Sequence, residues 1–205
     1  MNLLILDPAD ETRIIQRRRE LGHDRLDEVW DGVYVMSPLA NNEHQQLIHS
    51  FSLCFGEIIT RQGLGIVQPG ANVSPLAGDW EHNYRCPDVV VYLNSNPAFD
   101  HNTHWQGGPD FAIEVISRYD RSRQKFDFYA AINTREVLIV DRYPWALELY
   151  WLNAEGRFVP VGRSTVDQPA RLASRILPLS FRLEPGAKRP RIVIEHADGV
   201  QVWSA

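Results

Sequence analysis

The chain has 205 residues, 44% of them hydrophobic and 23% charged, with a formal net charge of -5. That balance supplies enough apolar material for a sizeable core and excludes an intrinsically disordered chain. It also excludes a surface coated in basic residues, so any contact with nucleic acid has to rest on a local patch.

In chain order, Met1 to Leu6 is apolar but too short for a signal-peptide core, lacks a basic start, and is followed at once by Asp7, Asp10 and Glu11. No later run is long and apolar enough to span a bilayer. A cytoplasmic protein without membrane contact is expected. Asp10 reads as the N-cap of a helix that runs to Leu21 and stops at Gly22, with Arg17, Arg18 and Arg19 on a solvated face. Glu28 to Met36 reads as a hairpin across Asp31-Gly32, a two-residue signal for a tight turn. From Asn42 to about Thr60, Leu47, Ile48, Phe51, Phe55, Ile58 and Ile59 recur at helical spacing. That pattern predicts a long amphipathic helix packed on a sheet, and His44 lies on the same stripe.

Strand candidates follow at Gly65 to Gln68, Asp88 to Leu93, Phe111 to Ile116, Glu136 to Asp141 and Ala146 to Leu152. Asn94 to Gly108 is polar and aromatic and reads as a surface loop. After Asn153 come a strand near Phe158 to Val161 and a closing hairpin, Ile192 to Glu195 with Val200 to Trp203, reached through a connector from Glu184 to Pro190. One domain over residues 1–205 is expected, with a core at about 26–152 and a β extension at about 153–205. Cys54 and Cys86 fall outside any CxxC pattern and read as reduced interior thiols.

Lys125 stands out against this background. It is one of two lysines in the chain. Projected at about 100° per residue, the segment from Arg121 to Ile132 puts it within an apolar arc of Phe128, Tyr129 and Ile132. An ammonium aimed at a core is costly unless a carboxylate meets it. The preceding strand offers Glu114, which alternation places on one face with Ala112 and Ile116. Asp110 is on that same face, but about 13 Å away along the strand, too far to share one metal ion with Glu114. Asp88 opens a different strand and would lie beside Glu114 if the two strands are neighbours. Asp88 and Glu114 are therefore the expected pair of carboxylates for a hard cation. Arg118, Arg121 and Arg123 cluster nearby; they could hold flanking phosphates or solvate the first helical turn.

Pro87-Asp88, then Glu114-Val115-Ile116, then Asp120 through Lys125 and Tyr129, closing with Glu136 to Asp141, resemble the Uma2 family of restriction-endonuclease-like proteins within the PD-(D/E)XK nuclease superfamily. Glu28, Asp31-Gly32, Met36-Ser37-Pro38 and His44 fit the family's N-terminal half. The resemblance covers roughly Leu26 to Leu152. One departure from the superfamily's simplest form is Ile116, which stands where a lysine is expected; in the Uma2 group the lysine is thought to migrate to the following helix, where Lys125 fits.

The resemblance implies an α/β (α+β) fold, a mixed β-sheet flanked by helices, here with an extra C-terminal β-hairpin. It further implies a metal-dependent endonuclease that hydrolyses nucleic acid, with DNA the expected polymer and a homodimer the expected assembly. Mg²⁺ or Mn²⁺ would be held by Asp88, Glu114 and the Val115 carbonyl, and Lys125 would complete the catalytic set. Glu28, His44 and Tyr129 are accessory candidates. Two other readings stay open: a non-catalytic nucleic-acid-binding or interaction protein that retains the fold, and a hydrolase of small phosphorylated substrates.

Overall fold

Helix α1, Pro8–Glu20, opens the computed structural model, which describes residues 7–116 and 121–205. Its N-cap is Asp7, whose carboxylate accepts the Ala9 N–H at 2.8 Å, and not the expected Asp10. Pro8 explains the shift: with no N–H and a preset φ, it suits the first helical position, so the cap lies at Asp7, three residues upstream of Asp10. Asp10 falls in the first turn and pairs with Arg13. The basic run is not uniformly solvated either. Arg18 meets Asp27 at 2.6 Å and donates to the Ser37 carbonyl, tying α1 to the hairpin that follows.

That hairpin, β1 (Glu28–Trp30) and β2 (Val33–Val35), is antiparallel across Asp31 and Gly32. Both turn residues have positive φ, 49° and 84°, as the expected tight turn requires. Helix α2, Asn42–Phe55, starts at the Asn41 side chain, which accepts the His44 N–H, and widens into a π-helical turn at Gly56–Thr60. Strands β3 (Gly65–Pro69), β4 (Val73–Ser74), β5 (Val89–Leu93), β6 (Phe99–Asp100), β7 (Trp105–Gln106) and β8 (Phe111–Ile116) come next. A 3₁₀ turn at Ser122–Lys125 leads into α3, Phe126–Ala131. The chain then forms β9 (Glu136–Arg142), β10 (Trp145–Leu152), β11 (Phe158–Ser164), β12 (Leu172–Ala173), β13 (Leu179–Glu184), β14 (Arg191–His196) and β15 (Val202–Ser204).

The principal sheet has the order β11-β10-β9-β8-β5-β3, with β8 and β9 parallel and every other pair antiparallel. Alternation along its strands divides the core. Val89, Val91, Phe111, Ile113, Val115, Leu138 and Val140 face Leu47, Phe51 and Phe55 of α2, and also Phe181 and Ile194 of the C-terminal strands. Val90, Ala112, Ile116, Val137 and Ile139 face Phe128, Tyr129 and Ile132. Glu114 belongs to the second set by register, so it points toward the segment that carries Lys125.

The structure corrects or extends three expectations. Residues 94–108 are not simply a surface loop: β6 and β7 join β4 in a three-stranded sheet, and His104 and Trp105 are buried. The closing hairpin, β14 with β15, is half of a four-stranded antiparallel sheet ordered β12-β13-β14-β15. The Lys125 segment is a 3₁₀ turn followed by a short helix, yet Lys125, Phe128, Tyr129 and Ile132 all end up buried as the projected arc requires.

Candidate active site

Strand direction brings the site together. Because β8 and β9 are parallel, their carboxyl ends share one edge, with Ile116 opposite Asp141. Strand β5 runs antiparallel to β8, so its amino end lies at that same edge. Val89 pairs with Ile113, which leaves Asp88 one position out, opposite Glu114. The Asp88 carboxylate accepts the Val115 N–H at 2.7 Å, so the acid is held against the strand that carries its neighbour.

Glu114 is 3% exposed and Lys125 8%. The Lys125 Nζ donates to both Glu114 oxygens, at 2.9 and 3.0 Å, and lies 2.8 Å from Glu28 Oε1. The Tyr129 hydroxyl also donates to Glu114, as does the Ser122 hydroxyl at 3.0 Å. Glu28 is itself fixed, accepting the Cys86 N–H at 2.9 Å and the Trp30 indole N–H at 2.7 Å. His44, at the start of α2, brings Nε2 to 3.3 Å from Asp88 Oδ1, while its buried Nδ1 has no hydrogen-bond partner among the described residues.

Charge follows from this packing. Burial pushes the Glu114 carboxyl up to about 7; Asp88 and Glu28 add to the rise, and Lys125 and Tyr129 oppose it. For Lys125 burial works against the ammonium, but Glu114 and Glu28 outweigh it and hold the amine above its ordinary range. Burial, with Glu114 and Glu28, also pushes the Tyr129 hydroxyl well up, so it serves as a neutral donor.

The donor set suits a hard divalent cation. Asp88 and Glu114 supply two carboxylates at facing positions, and Mg²⁺ is usually held by one or two carboxylates while keeping several waters. Among the described residues no three His, Cys, Asp or Glu side chains converge as a ready-made metal cluster; Asp88 accepts the Val115 N–H, and Glu114 accepts from Lys125 and Tyr129.

A family model described as Uma2, "Putative restriction endonuclease", matches residues 18–186. The chain belongs to the Uma2 family. Its matched span reaches from α1 past the principal sheet to the end of β13. No curated protein matches the chain. Among solved structures, it is similar to the crystal structure of "a putative nuclease belonging to DUF820 from Anabaena variabilis ATCC 29413", with a TM-score of 0.51 and 15% identity over 61% of this chain and 71% of that one. At that identity the likeness speaks for the fold: this Uma2 chain has the mixed α+β architecture of a protein described as a nuclease.

The Uma2 residues named from sequence meet different fates. Asp88, Glu114, Val115, Lys125, Tyr129, Glu28 and His44 gather at one edge of the principal sheet. Glu28 is closer in than an accessory role suggested, since it pairs directly with Lys125. Arg123 is engaged by Asp141 at 3.2 Å and Glu148 at 2.9 Å, and Arg121 is exposed. Arg118 lies outside the described residues.

Sequence reasoning missed Ser122, although it precedes Lys125 by three residues and so shares its helical face. It also missed Arg85, a guanidinium 4% exposed and held between the Trp30 and Phe128 rings at 4.7 and 4.1 Å. That double cation–π contact braces the β1–β2 hairpin, which carries Glu28, against the helix that follows Lys125. No local pattern marks it. Arg142, also buried, donates to the Ile116 carbonyl, the Asn41 side chain and Glu43, and so ties the end of β8 to the start of α2.

Proposed function

We propose that this Uma2 chain is a metal-dependent nuclease that hydrolyses phosphodiester bonds of nucleic acid, with DNA as its polymer. The observation that carries the reading is the convergence of Asp88, Glu114 and Lys125 at the carboxyl edge of the β8–β9 pair. Asp88 and Glu114, with the Val115 carbonyl, would hold Mg²⁺ or Mn²⁺. When bound there, the cation would supply Lewis-acid polarisation of the scissile phosphate. Lys125 stabilises the negative charge that builds on the phosphate oxygens, a role suited to an amine held protonated. Tyr129 and Ser122 orient Glu114, His44 orients Asp88, and Glu28 holds the amine. The low exposure of Glu114 and Lys125 limits water around these charges and strengthens their interactions.

A second reading, a nuclease fold kept for binding alone, is favoured by one observation: both Glu114 oxygens are already occupied by internal donors. Cleavage separates the two. Purified protein is incubated with supercoiled plasmid, linear DNA and RNA, with Mg²⁺ or Mn²⁺ and then with chelator. The expected result is nicking and linearisation of DNA that stops with chelator and is absent from Glu114→Ala. Intact polymers under every condition, or cleavage that survives in Glu114→Ala, would overturn the nuclease reading. Phosphate release from small esters with polymers left intact would replace it with a small-substrate hydrolase.

A further inference from the structure

Lys125 Nζ lies within 3.0 Å of three carboxylate oxygens, two of Glu114 and one of Glu28. An ionised carboxylate offers about four lone-pair sites. Glu114 receives four contacts from the described residues, two from Lys125 and one each from Tyr129 and Ser122. No site is left for an added cation unless one of those donors leaves. Tyr129 and Ser122 are neutral hydroxyls, so an arriving dication has no charge to repel on either. Lys125 carries the same sign of charge as the dication and is driven off by it. It also has somewhere to stay. Glu28 lies 2.8 Å from the amine and is locked in place by the Cys86 N–H and the Trp30 indole, two donors that do not depend on Glu114.

We infer that Lys125 is an internal counter-cation that competes with the divalent metal for Glu114, and that Glu28 is the berth on which the ammonium remains when the metal takes its place. The inference rests on the reading that Asp88 and Glu114 hold the metal. It assigns Glu28 a positioning role: the amine is released from one carboxylate without being lost to solvent, and stays within the site. It also accounts for the side chains of a metal site being turned onto internal donors. Without metal, the ammonium offsets the negative charge that Asp88, Glu28 and Glu114 concentrate at one sheet edge. A purely structural ion pair behaves differently, because the amine then keeps both carboxylates whatever cation is present.

Mn²⁺ titration by calorimetry at pH 8, on wild type and Lys125→Met, reads the competition directly and without reference to cleavage. The expected result is binding at least about tenfold tighter in Lys125→Met, since the competing charge is gone. A wild-type crystal soaked with Mn²⁺ gives a second measurement that does not depend on the variant folding. There the Lys125 amine should have left hydrogen-bond distance of both Glu114 oxygens while keeping Glu28. Equal or weaker Mn²⁺ binding by the variant, or an amine still on Glu114 beside a bound Mn²⁺, overturns the inference and leaves the metal site standing. No Mn²⁺ binding by wild type or variant at millimolar metal removes the metal reading and this inference together.

Discussion

Replacing Lys125 by Met removes the ammonium lying between two carboxylates that are each 3% exposed, and leaves them facing one another. Breaking a buried ion pair on one side costs about 3–5 kcal/mol, mostly from the charge left unpaired. Glu114 keeps its Tyr129 and Ser122 hydroxyls, and Glu28 keeps the Cys86 N–H and the Trp30 indole. Those remaining donors put the expected loss near the lower end, about 3 kcal/mol at pH 8. With a urea slope of about 2–3 kcal/mol/M, the midpoint falls by about 1 M.

The pH dependence has a definite sign. Burial already raises the Glu114 carboxyl from 4.5 to about 7, and loss of the ammonium raises it further. A carboxyl whose folded-state pKa is raised favours the folded chain below its unfolded value, and that advantage disappears as pH climbs through the folded value. The amine of the wild type is shifted up, so its contribution is present throughout the range from pH 5 to pH 8. The deficit of Lys125→Met relative to wild type therefore grows from pH 5 to pH 8. Urea unfolding of both proteins at the two pH values, in chelator and followed by fluorescence of the six tryptophans, measures it. A deficit below about 1 kcal/mol at pH 8, or one that is the same at pH 5, would refute the assignment of Lys125 as a buried counter-ion.

Tyr129→Phe removes one donor from Glu114 and should cost about 1–2 kcal/mol in urea unfolding, with a loss of plasmid nicking of about tenfold; unchanged stability and rate would take Tyr129 out of the site. In His44→Ala the Asp88 carboxylate loses its imidazole partner, and Mn²⁺ affinity by calorimetry should fall about 10–100-fold, an expectation that wild-type affinity would defeat. Arg142→Met strips donors from the Ile116 carbonyl, Asn41 and Glu43, and should lower stability by about 3 kcal/mol in urea unfolding. A loss under about 1 kcal/mol would mean that α2 is anchored to β8 by other contacts.

Much of the fold was legible because hydrophobic spacing is a local signal. The stripe Leu47, Phe51 and Phe55 marks α2, whose expected end near Thr60 falls on the π-helical turn that follows it, and the runs at β5, β8, β9 and β10 mark strands to within a residue of their observed ends. Asp31-Gly32 marks its turn through the positive φ that the turn requires. The two-residue strands β4, β6, β7 and β12 are too short to develop any period, so no local signal separates them from loop. Strand β13, absent from the elements expected from sequence, does alternate, with Phe181 and Leu183 in the core and Arg182 between them. Residues 94–108 looked solvated because their burial rests on single residues, His104 and Trp105, within a polar stretch.

The amino-acid sequence alone determined that Glu114 points to the core face of its strand and that Lys125 lies on the core face of its turn, because both follow from backbone periodicity. Tertiary structure alone decided that Asp88 lies opposite Glu114, that Glu28 crosses from the N-terminal hairpin to share the amine, and that Arg85 braces the hairpin against α3. The physical reason is that periodicity sets which way a side chain faces. Which side chains meet depends on strand order and register between distant segments, and those are chosen by the packing of the whole core.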